Sequence, residues 1–188
     1  MVILASASPR RHELLVAAGI DHIVRPSCVP EQRHAEESPG AFVQRLAEEK
    51  ARATPCGPED VVLAADTMVC ADDLVLGKPS SDEDAARILR LLSGRVHWVH
   101  TGICILSGAR CIVDLASTRV WFISLTEDEI QDYVQTGEPR DKAGAYAIQG
   151  YASKFVWSIA GCYHNVVGLP VSLVYRHLKT LANPNMRS

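Results

Sequence analysis

Several features are missing from this sequence, and each absence excludes a class of protein. No apolar run reaches the ~18 residues that a membrane-spanning helix requires, and no signal-peptide core follows the N-terminus, so we expect a cytoplasmic protein without a membrane partner. The formal net charge is −3 at pH 7, which argues against sequence-independent nucleic-acid binding. With no basic surface overall, any phosphate binding must be local. There is no internal repeat, low-complexity stretch or clear linker in the 188 residues.

The six cysteines do not form a familiar metal motif. None occurs in a C-x-x-C pair, and none pairs with histidine at a zinc-like spacing, so we expect reduced and mostly buried thiols. Cys104 and Cys111 would lie opposite each other on a hairpin if its turn falls at Ser107-Gly108. A cross-strand disulfide is the alternative for that pair.

The spacing of apolar residues predicts strands and helices that interleave along the chain. Strands are predicted at 2–5, 23–25, 61–65, 96–106 and 110–124. Helices are predicted over 9–18, from Pro39 past Lys50, between Ser81 and Gly94, between Thr126 and Gly137, and from Pro170, with a tail from Asn183 expected to fray. The central strand pair favours a hairpin, so the fold class is α/β on a mixed sheet.

The segment Leu4–Leu15 (LASASPRRHELL) predicts an anion site at a helix start. Ser8 suits the N-cap and Pro9 suits the first helical position, which leaves Arg10 and Arg11 in the first turn. The helix dipole disfavours cations there unless an anion is bound between them. Backbone N–H groups, serine hydroxyls and guanidiniums at one helix start are typical of a phosphate site. The alternative is a solvated arginine pair on an ordinary capped helix.

Asp66 is the strongest catalytic candidate because it follows the apolar run Val61–Ala65. A carboxylate at the carboxyl end of a buried strand lies where open α/β sheets place their sites. Thr67 adds a hydroxyl beside it, and Lys78, between a glycine and a proline, is close enough in sequence to face the same cleft. The alternatives are a turn aspartate and a solvated loop lysine.

The segment Asp141–Gly150 combines charged, small and amide side chains. Small residues permit close approach of the backbone to a ligand, and Gln149 offers a donor and an acceptor for a base edge. The alternative is a turn-rich connection that packs Tyr146 and Ile148. The complete set of candidate charged groups comprises Arg10, Arg11, Lys50, Lys78, Asp66 and Glu31. Cations for phosphate together with carboxylates for Mg²⁺ favour phosphoryl or nucleotidyl transfer to water.

Taken together, these segments resemble the Maf family of nucleoside triphosphate pyrophosphatases. The matching stretches are LASASPRRHELL (4–15), LAEEKA (46–51), ADTMV (65–69), LGKP (76–79), LSGRVHWVHTG (92–102), GEPRDKAGAYAIQG (137–150) and GCYHNVVGLPV (161–171). The resemblance implies one domain over residues 1–188, with two lobes around a cleft on an elongated mixed sheet, similar to the inosine triphosphate pyrophosphatases. It also implies metal-dependent cleavage of a nucleoside triphosphate to the monophosphate and pyrophosphate. Clearance of non-standard or excess nucleotides and arrest of cell division are the roles associated with the family.

The resemblance also assigns individual residues. Asp66 would be the general base and a metal ligand, and Glu31 would help to hold the metal. Pro30 stands where the family usually has an aspartate, which removes a second carboxylate there. The residues implied to bind the triphosphate are Ser6, Arg10, Arg11, Lys50 and Lys78. The implied cofactor is Mg²⁺, with Mn²⁺ or Co²⁺ as alternatives, and the implied assembly is a homodimer.

Three residues match the family branch that acts on dTTP and UTP, namely Arg10, Thr67 and Gln149. The branch that acts on 7-methyl-GTP tends to have Asp-Gln at the catalytic position and a glutamate near residue 149. A glutamine suits the O4 and N3–H edge of thymine or uracil, because it can donate and accept at once. The alternatives are the same reaction on another base, such as 7-methyl-GTP, a modified pyrimidine or an inosine-type nucleotide, and a nucleotide-sensing or division-regulating protein that acts through partners.

Overall fold

The computed structural model describes residues 1–72 and 74–182. The strands are β1 (Val2–Leu4), β2 (His22–Val24), β3 (Val61–Ala71), β4 (Leu74–Leu76), β5 (Val96–Ser107), β6 (Arg110–Phe122) and β7 (Val156–Ala160). The helices are α1 (Pro9–Ala17), α2 (Pro39–Ala53), α3 (Asp82–Leu92), α4 (Glu127–Gln135), α5 (Tyr163–Val167) and α6 (Val171–Ala182). Short 3₁₀ helices span Glu138–Asp141, Ala143–Ala145 and Tyr151–Phe155. The tail predicted to fray from Asn183 lies outside the described residues.

In the described part of the chain, the seven strands form one mixed sheet. The strand order is β2-β1-β3-β5-β6-β7, and β4 pairs with β3. Strand β1 runs parallel to both neighbours, with Val2 opposite His22 in β2 and Val61 in β3. Strand β4 is antiparallel to β3, and β7 is antiparallel to β6. The predicted α/β class with a mixed sheet is therefore confirmed.

The longest helix in the described ranges is α2, with 15 residues. None of the helices described there has the length and apolar character that a bilayer crossing needs.

The chain divides into two compact units. The first comprises Met1–Asp66, Thr101–Ala116 and the chain from Gly168. In this unit, the first half of β3 is covered on both faces, which explains its continuous apolar run. On one face, Leu63 and Ala65 pack in a core that includes residues of α1 and α6. On the other face, Val62 and Ala64 pack against α2.

The second unit comprises Thr67–His100 and Ser117–Val167. Its core is rich in aromatic contacts. The ring of Phe122 lies 4.8 Å from that of Tyr146, and the ring of Tyr133 lies 5.5 Å from that of Phe155. Helices α3 and α4 pack against each other in the same unit.

Local capping chemistry explains where three helices begin. The Ser38 hydroxyl accepts a hydrogen bond from the Ala41 N–H at the start of α2, and Ser81 caps α3 in the same way. Thr126 and Glu129 form a capping box at the start of α4, the helix that the sequence predicts to begin at Thr126. These contacts satisfy amide groups that have no partner within the helix.

The structure differs from the sequence predictions at several places. Strand β3 continues to Ala71, so Asp66 lies inside the strand and not at its end. Ser8 occupies the N-cap of α1, but its side chain makes no capping bond, and its N–H donates to the Ser6 hydroxyl instead. The segment between Gly137 and Pro170, for which the sequence predicts no helix or strand, contains the 3₁₀ helices together with β7 and α5.

Candidate active site

A buried lysine joins the two candidate carboxylates. The Lys50 ammonium donates to Asp66 Oδ1 at 2.7 Å and to Glu31 Oε1 at 2.6 Å. Lys50 lies in the last turn of α2, Asp66 lies in β3, and Glu31 lies in the polar loop before α2. The lysine and aspartate side chains are only 11% and 12% exposed, whereas Glu31 is 58% exposed. Lys50 is therefore a buried residue of the site and not a solvated residue near a helix end.

A close backbone contact holds α2 in this place. A Cβ atom added at Gly102 of β5 would lie 2.3 Å from the carbonyl carbon of Val43 in α2. Only glycine allows the helix and the strand to approach this closely. The contact fixes the distance between the sheet and the helix that carries Lys50.

Burial controls the protonation of Asp66. It raises the pKa of this carboxyl above its ordinary value of 3.8, although the charges of Lys50 and Arg11 act in the opposite direction. The nearby negative charge of Glu31 raises the pKa of Asp66 further. A carboxylate with a raised pKa is a stronger proton acceptor, which is what a general base requires.

Arg11 is buried and binds groups of its own chain. Its Nε donates to the Gly168 carbonyl at 2.8 Å, and its Nη1 donates to the Ser6 hydroxyl at 2.9 Å and to the Ala65 carbonyl at 2.8 Å. Burial lowers the pKa of Arg11. These bonds join α1 to the segment after β1, to the residue before Asp66 and to Gly168, so Arg11 organises the site. Arg10, the next residue, is half-buried in the first turn of α1.

The donor set of Asp66 and Glu31 fits a divalent cation. Both carboxylates reach one ammonium group, so their oxygens converge on a single position of positive charge. Mg²⁺ in enzymes is commonly held by one or two carboxylates together with substrate phosphates and water. Within residues 1–72 and 74–182, no group of three His, Cys, Asp or Glu side chains is arranged for a metal. The predicted metal site at Glu31 and Asp66 stays a prediction.

The second unit carries the other candidates. Thr67 is half-buried in β3, while Lys78 and Gln149 are exposed. The Gly144 N–H donates to the Gly77 carbonyl at 3.1 Å, so the loop with Lys78 is bonded to the segment with Gln149. Gly144 has a φ of +72°, and a Cβ atom there would lie 2.9 Å from a methyl group of a valine in β3. The backbone at this junction therefore requires glycine.

Tyr133 and Glu138 form a clamp around Gln149, and sequence reasoning missed both of them. The Tyr133 hydroxyl donates to Glu138 Oε1 at 2.7 Å and accepts from the Ala147 N–H at 3.2 Å. The other oxygen of Glu138 accepts from the Tyr151 N–H at 3.1 Å. The clamp holds the backbone on both sides of Gln149. Glu138 stands in GEPRDK, part of the stretch 137–150 that matches the family. That match is the sequence signal that could have identified it.

A buried histidine supports the same segment. His97 Nε2 lies 2.8 Å from the Tyr146 hydroxyl, and the two rings pack edge to face. Burial lowers the pKa of His97 to about 4, so the ring is neutral at pH 7. A neutral ring can accept a hydrogen bond from the Tyr146 hydroxyl, which fixes Tyr146 three residues before Gln149.

Comparison with known proteins identifies the family. The family model described as Maf-like protein matches residues 1–181. The chain belongs to the Maf family. Curated relatives from Koribacter versatilis (strain Ellin345) and Geobacillus sp. (strain WCH70) are each named dTTP/UTP pyrophosphatase. The first is 51% identical over 179 residues, which cover 95% of this chain and 93% of the relative. The second is 49% identical over 181 residues, which cover 96% of this chain and 97% of the relative.

A solved structure supports the fold of this Maf protein. The Staphylococcus aureus Ham1 protein aligns with a TM-score of 0.53 over 96% of this chain and 98% of its own. At 15% sequence identity, this similarity concerns the fold alone.

The site residues predicted for this Maf protein divide between the two units. The first unit contains Ser6, Arg10, Arg11, Glu31, Lys50 and Asp66, and the second contains Thr67, Lys78 and Gln149. The structure joins Lys50, Asp66 and Glu31 directly, and it links Ser6 to the residue before Asp66 through Arg11. The assigned roles in substrate and metal binding stay predictions.

Proposed function

We propose that this protein hydrolyses dTTP and UTP to the monophosphate and pyrophosphate. The observation that carries the proposal is the buried Lys50–Asp66–Glu31 cluster in a chain about half identical to curated dTTP/UTP pyrophosphatases. Cleavage of the bond between the α and β phosphates needs an activated water and neutralisation of charge on the leaving group. The cluster and its surroundings contain groups suited to both tasks.

Asp66 accepts the proton of the attacking water. Its raised pKa makes it a better base than an exposed aspartate, and Lys50 fixes the orientation of its carboxylate. As water adds to the phosphorus, the bridging phosphate bond breaks and pyrophosphate leaves with the bonding electron pair. Mg²⁺ held by Asp66 and Glu31, or Mn²⁺ or Co²⁺ in its place, would supply further positive charge to the triphosphate.

The triphosphate is bound by residues at the start of α1 and in the loop after β4. Ser6, Arg10 and Lys78 offer a hydroxyl, a guanidinium and an ammonium, and Lys50 adds its charge beside Asp66. The guanidinium of Arg11 contributes its charge, while its hydrogen bonds to Ser6 and to the Gly168 carbonyl hold the site in shape. Arg11 therefore acts mainly as a positioning residue, which holds Ser6 and the backbone around the site in place.

Selection of the base rests on Gln149, assisted by Arg10 and Thr67. The exposed amide of Gln149 can donate to O4 of thymine or uracil and accept from N3–H. The clamp of Tyr133 and Glu138 holds the backbone around it and thereby lowers the entropy that is lost on binding. A carboxylate at position 149 would have no donor for O4.

The wider expectations belong to the same proposal. We place the enzyme in the cytoplasm, where nucleoside triphosphates are available, with a nucleotide as its partner and no nucleic acid. A homodimer, a role in clearing the nucleotide pool and a link to arrest of cell division follow from the family resemblance.

Product analysis tests the proposal. The purified protein is incubated with dTTP, UTP and 7-methyl-GTP in Mg²⁺, and the products are separated by ion-exchange chromatography. The expected result is dTMP and UMP, each with pyrophosphate, and little turnover of 7-methyl-GTP. Nucleoside diphosphate with orthophosphate would mean that another bond is cut. Preferential turnover of 7-methyl-GTP would contradict the assigned base.

A further inference from the structure

A pair of thiols lies on the β5–β6 hairpin of the first unit. The Sγ atoms of Cys104 and Cys111 are 3.7 Å apart, and both cysteines are free thiols. The hairpin turn occupies residues 108–109, one residue later than the turn at Ser107-Gly108 that would place the two cysteines directly opposite each other. Cys104 is fully buried, whereas Cys111 is exposed, as are Cys28 and Cys56, so the expectation of mostly buried thiols is wrong. One thiol of the pair is therefore open to a reagent in solution, and the other lies directly behind it.

Both thiols also contact the layer formed by α2. Cys104 packs in the core cluster that contains Ala47 and Ala51 of this helix. The Cys111 thiol donates to Glu48 Oε1 across 3.8 Å. The same carboxylate accepts from Arg52 Nε at 2.8 Å, so Glu48 has a second partner if the thiol is lost.

We propose that Cys104 and Cys111 are an oxidisable pair that forms a reversible cross-strand disulfide with a small-molecule disulfide such as oxidised glutathione as the oxidant. The bond of a disulfide is about 2.05 Å long, so the two sulfur atoms must approach by less than 2 Å from their separation of 3.7 Å. This distance is within the range that side-chain rotation and a small movement of the hairpin can cover.

The reaction proceeds in two exchange steps. The exposed Cys111 loses its proton and attacks one sulfur of the oxidant, which gives a mixed disulfide and releases one small thiolate. Cys104 then loses its proton and attacks the Cys111 sulfur, which forms the protein disulfide and releases the second small thiolate. Two electrons pass from the protein thiols to the oxidant, and the two released thiolates take up the two protons.

Oxidation changes the surroundings of α2. The Cys111 thiol no longer donates to Glu48, and the Cys104 sulfur moves towards Cys111 and away from its packing against Ala47 and Ala51. Helix α2 carries Lys50 near its end, so the pair lies against the element that positions the candidate base. The chemistry of the thiol pair does not depend on the proposed hydrolysis.

Peptide mapping tests the pair directly. The reduced, folded protein is incubated with increasing ratios of oxidised to reduced glutathione, its free thiols are alkylated, and trypsin digestion follows without reductant. Arg110 lies between the two cysteines, so trypsin separates them unless a disulfide holds the peptides together. The expected result is a linked peptide pair, the loss of two of the six thiols, and full recovery with dithiothreitol.

Single substitutions control the experiment. Cys111→Ser is expected to abolish the linked peptides, while Cys28→Ser and Cys56→Ser, at the two other exposed cysteines, leave them unchanged. The wild-type map alone remains decisive if a variant does not fold. Glutathione that stays attached to Cys111 without a link to Cys104 would overturn the proposal. The proposal would also be overturned if Cys104 and Cys111 stayed reduced at ratios of oxidised to reduced glutathione that modify Cys28 and Cys56.

Discussion

Replacing Lys50 by methionine tests the coupling at the centre of the site. Methionine keeps an unbranched apolar side chain and removes only the ammonium group, which donates to Asp66 and Glu31. Loss of one partner of a buried ion pair costs about 3–5 kcal/mol, because a buried charge is left without compensation. Asp66 is 12% exposed and can take up a proton, so we expect the lower end of this range, about 3 kcal/mol at pH 7.

The assay is urea unfolding followed by circular dichroism, for the wild type, Lys50→Met, Asp66→Asn and the double variant. This cycle separates the interaction between the two residues from the effect of each substitution alone. We expect a coupling free energy of about 2 kcal/mol, because part of the lysine's contribution comes from the exposed Glu31. Additivity to within about 0.5 kcal/mol would refute the reasoning.

Arg52→Met is a matched control on the same helix. Arg52 lies two residues after Lys50 and pairs with Glu48, but its side chain is 56% exposed. Exposed ion pairs contribute about 0–1 kcal/mol, so the control should change the free energy of unfolding only slightly. An equal loss in both variants would mean that burial of the Lys50 pair has no particular effect.

Gly102, Glu138 and the titration of Asp66 each offer a further test. Gly102→Ala should lower the free energy of unfolding, measured in heat or urea, by about 3 kcal/mol, because the added Cβ would overlap the α2 backbone. Gly77→Ala is the control, since a Cβ there meets open space and should change the free energy of unfolding by less than about 0.5 kcal/mol. Glu138→Gln should raise KM for dTTP with a smaller change in kcat, because the clamp around Gln149 weakens; steady-state kinetics would contradict this if KM stayed constant. Activity should fall as pH drops through the pKa of Asp66, which burial raises above 3.8, because the protonated carboxyl cannot act as a base. The contribution of Asp66 to the free energy of unfolding has the opposite dependence, since it is present at low pH and is lost as pH rises through the raised pKa. An acidic limb of the pH–rate profile at or below pH 3.8 would be the contrary result.

Local signals predicted much of the fold correctly. Ser38-Pro39, Ser81 and the Thr126–Glu129 box start helices where the sequence places them, because capping depends on neighbouring residues alone. The β5–β6 hairpin follows in the same way from two long apolar strands around a glycine turn.

Tertiary contacts explain what the sequence did not predict. Strand β3 continues through Asp66 because Lys50, 16 residues away in sequence, compensates its charge within the sheet. The burial of Lys50 was not predictable from α2 alone, since its second partner is 19 residues away, in a loop. The Ser8 side chain makes no capping bond, and the Ser8 N–H donates to Ser6, whose hydroxyl also binds Arg11, a residue that Gly168 holds from a distant part of the chain.

The site was predicted in its composition but not in its arrangement. Asp66, Glu31 and Lys50 were each identified as candidates, yet only the structure shows one ammonium bonded to both carboxylates. The clamp residues Tyr133 and Glu138 were missed, because a tyrosine and a glutamate around a turn have no distinctive spacing.

The rate of dTTP hydrolysis by Asp66→Asn, compared with that of the wild type at saturating Mg²⁺, tests the central claim most directly. Asparagine keeps the size of the side chain and an oxygen for Lys50, but it cannot take up the proton of the attacking water. A loss of about 100-fold or more in kcat, with an unchanged circular dichroism spectrum, is the expected result. A variant that keeps the wild-type rate while folded would contradict the assignment of Asp66 as the general base.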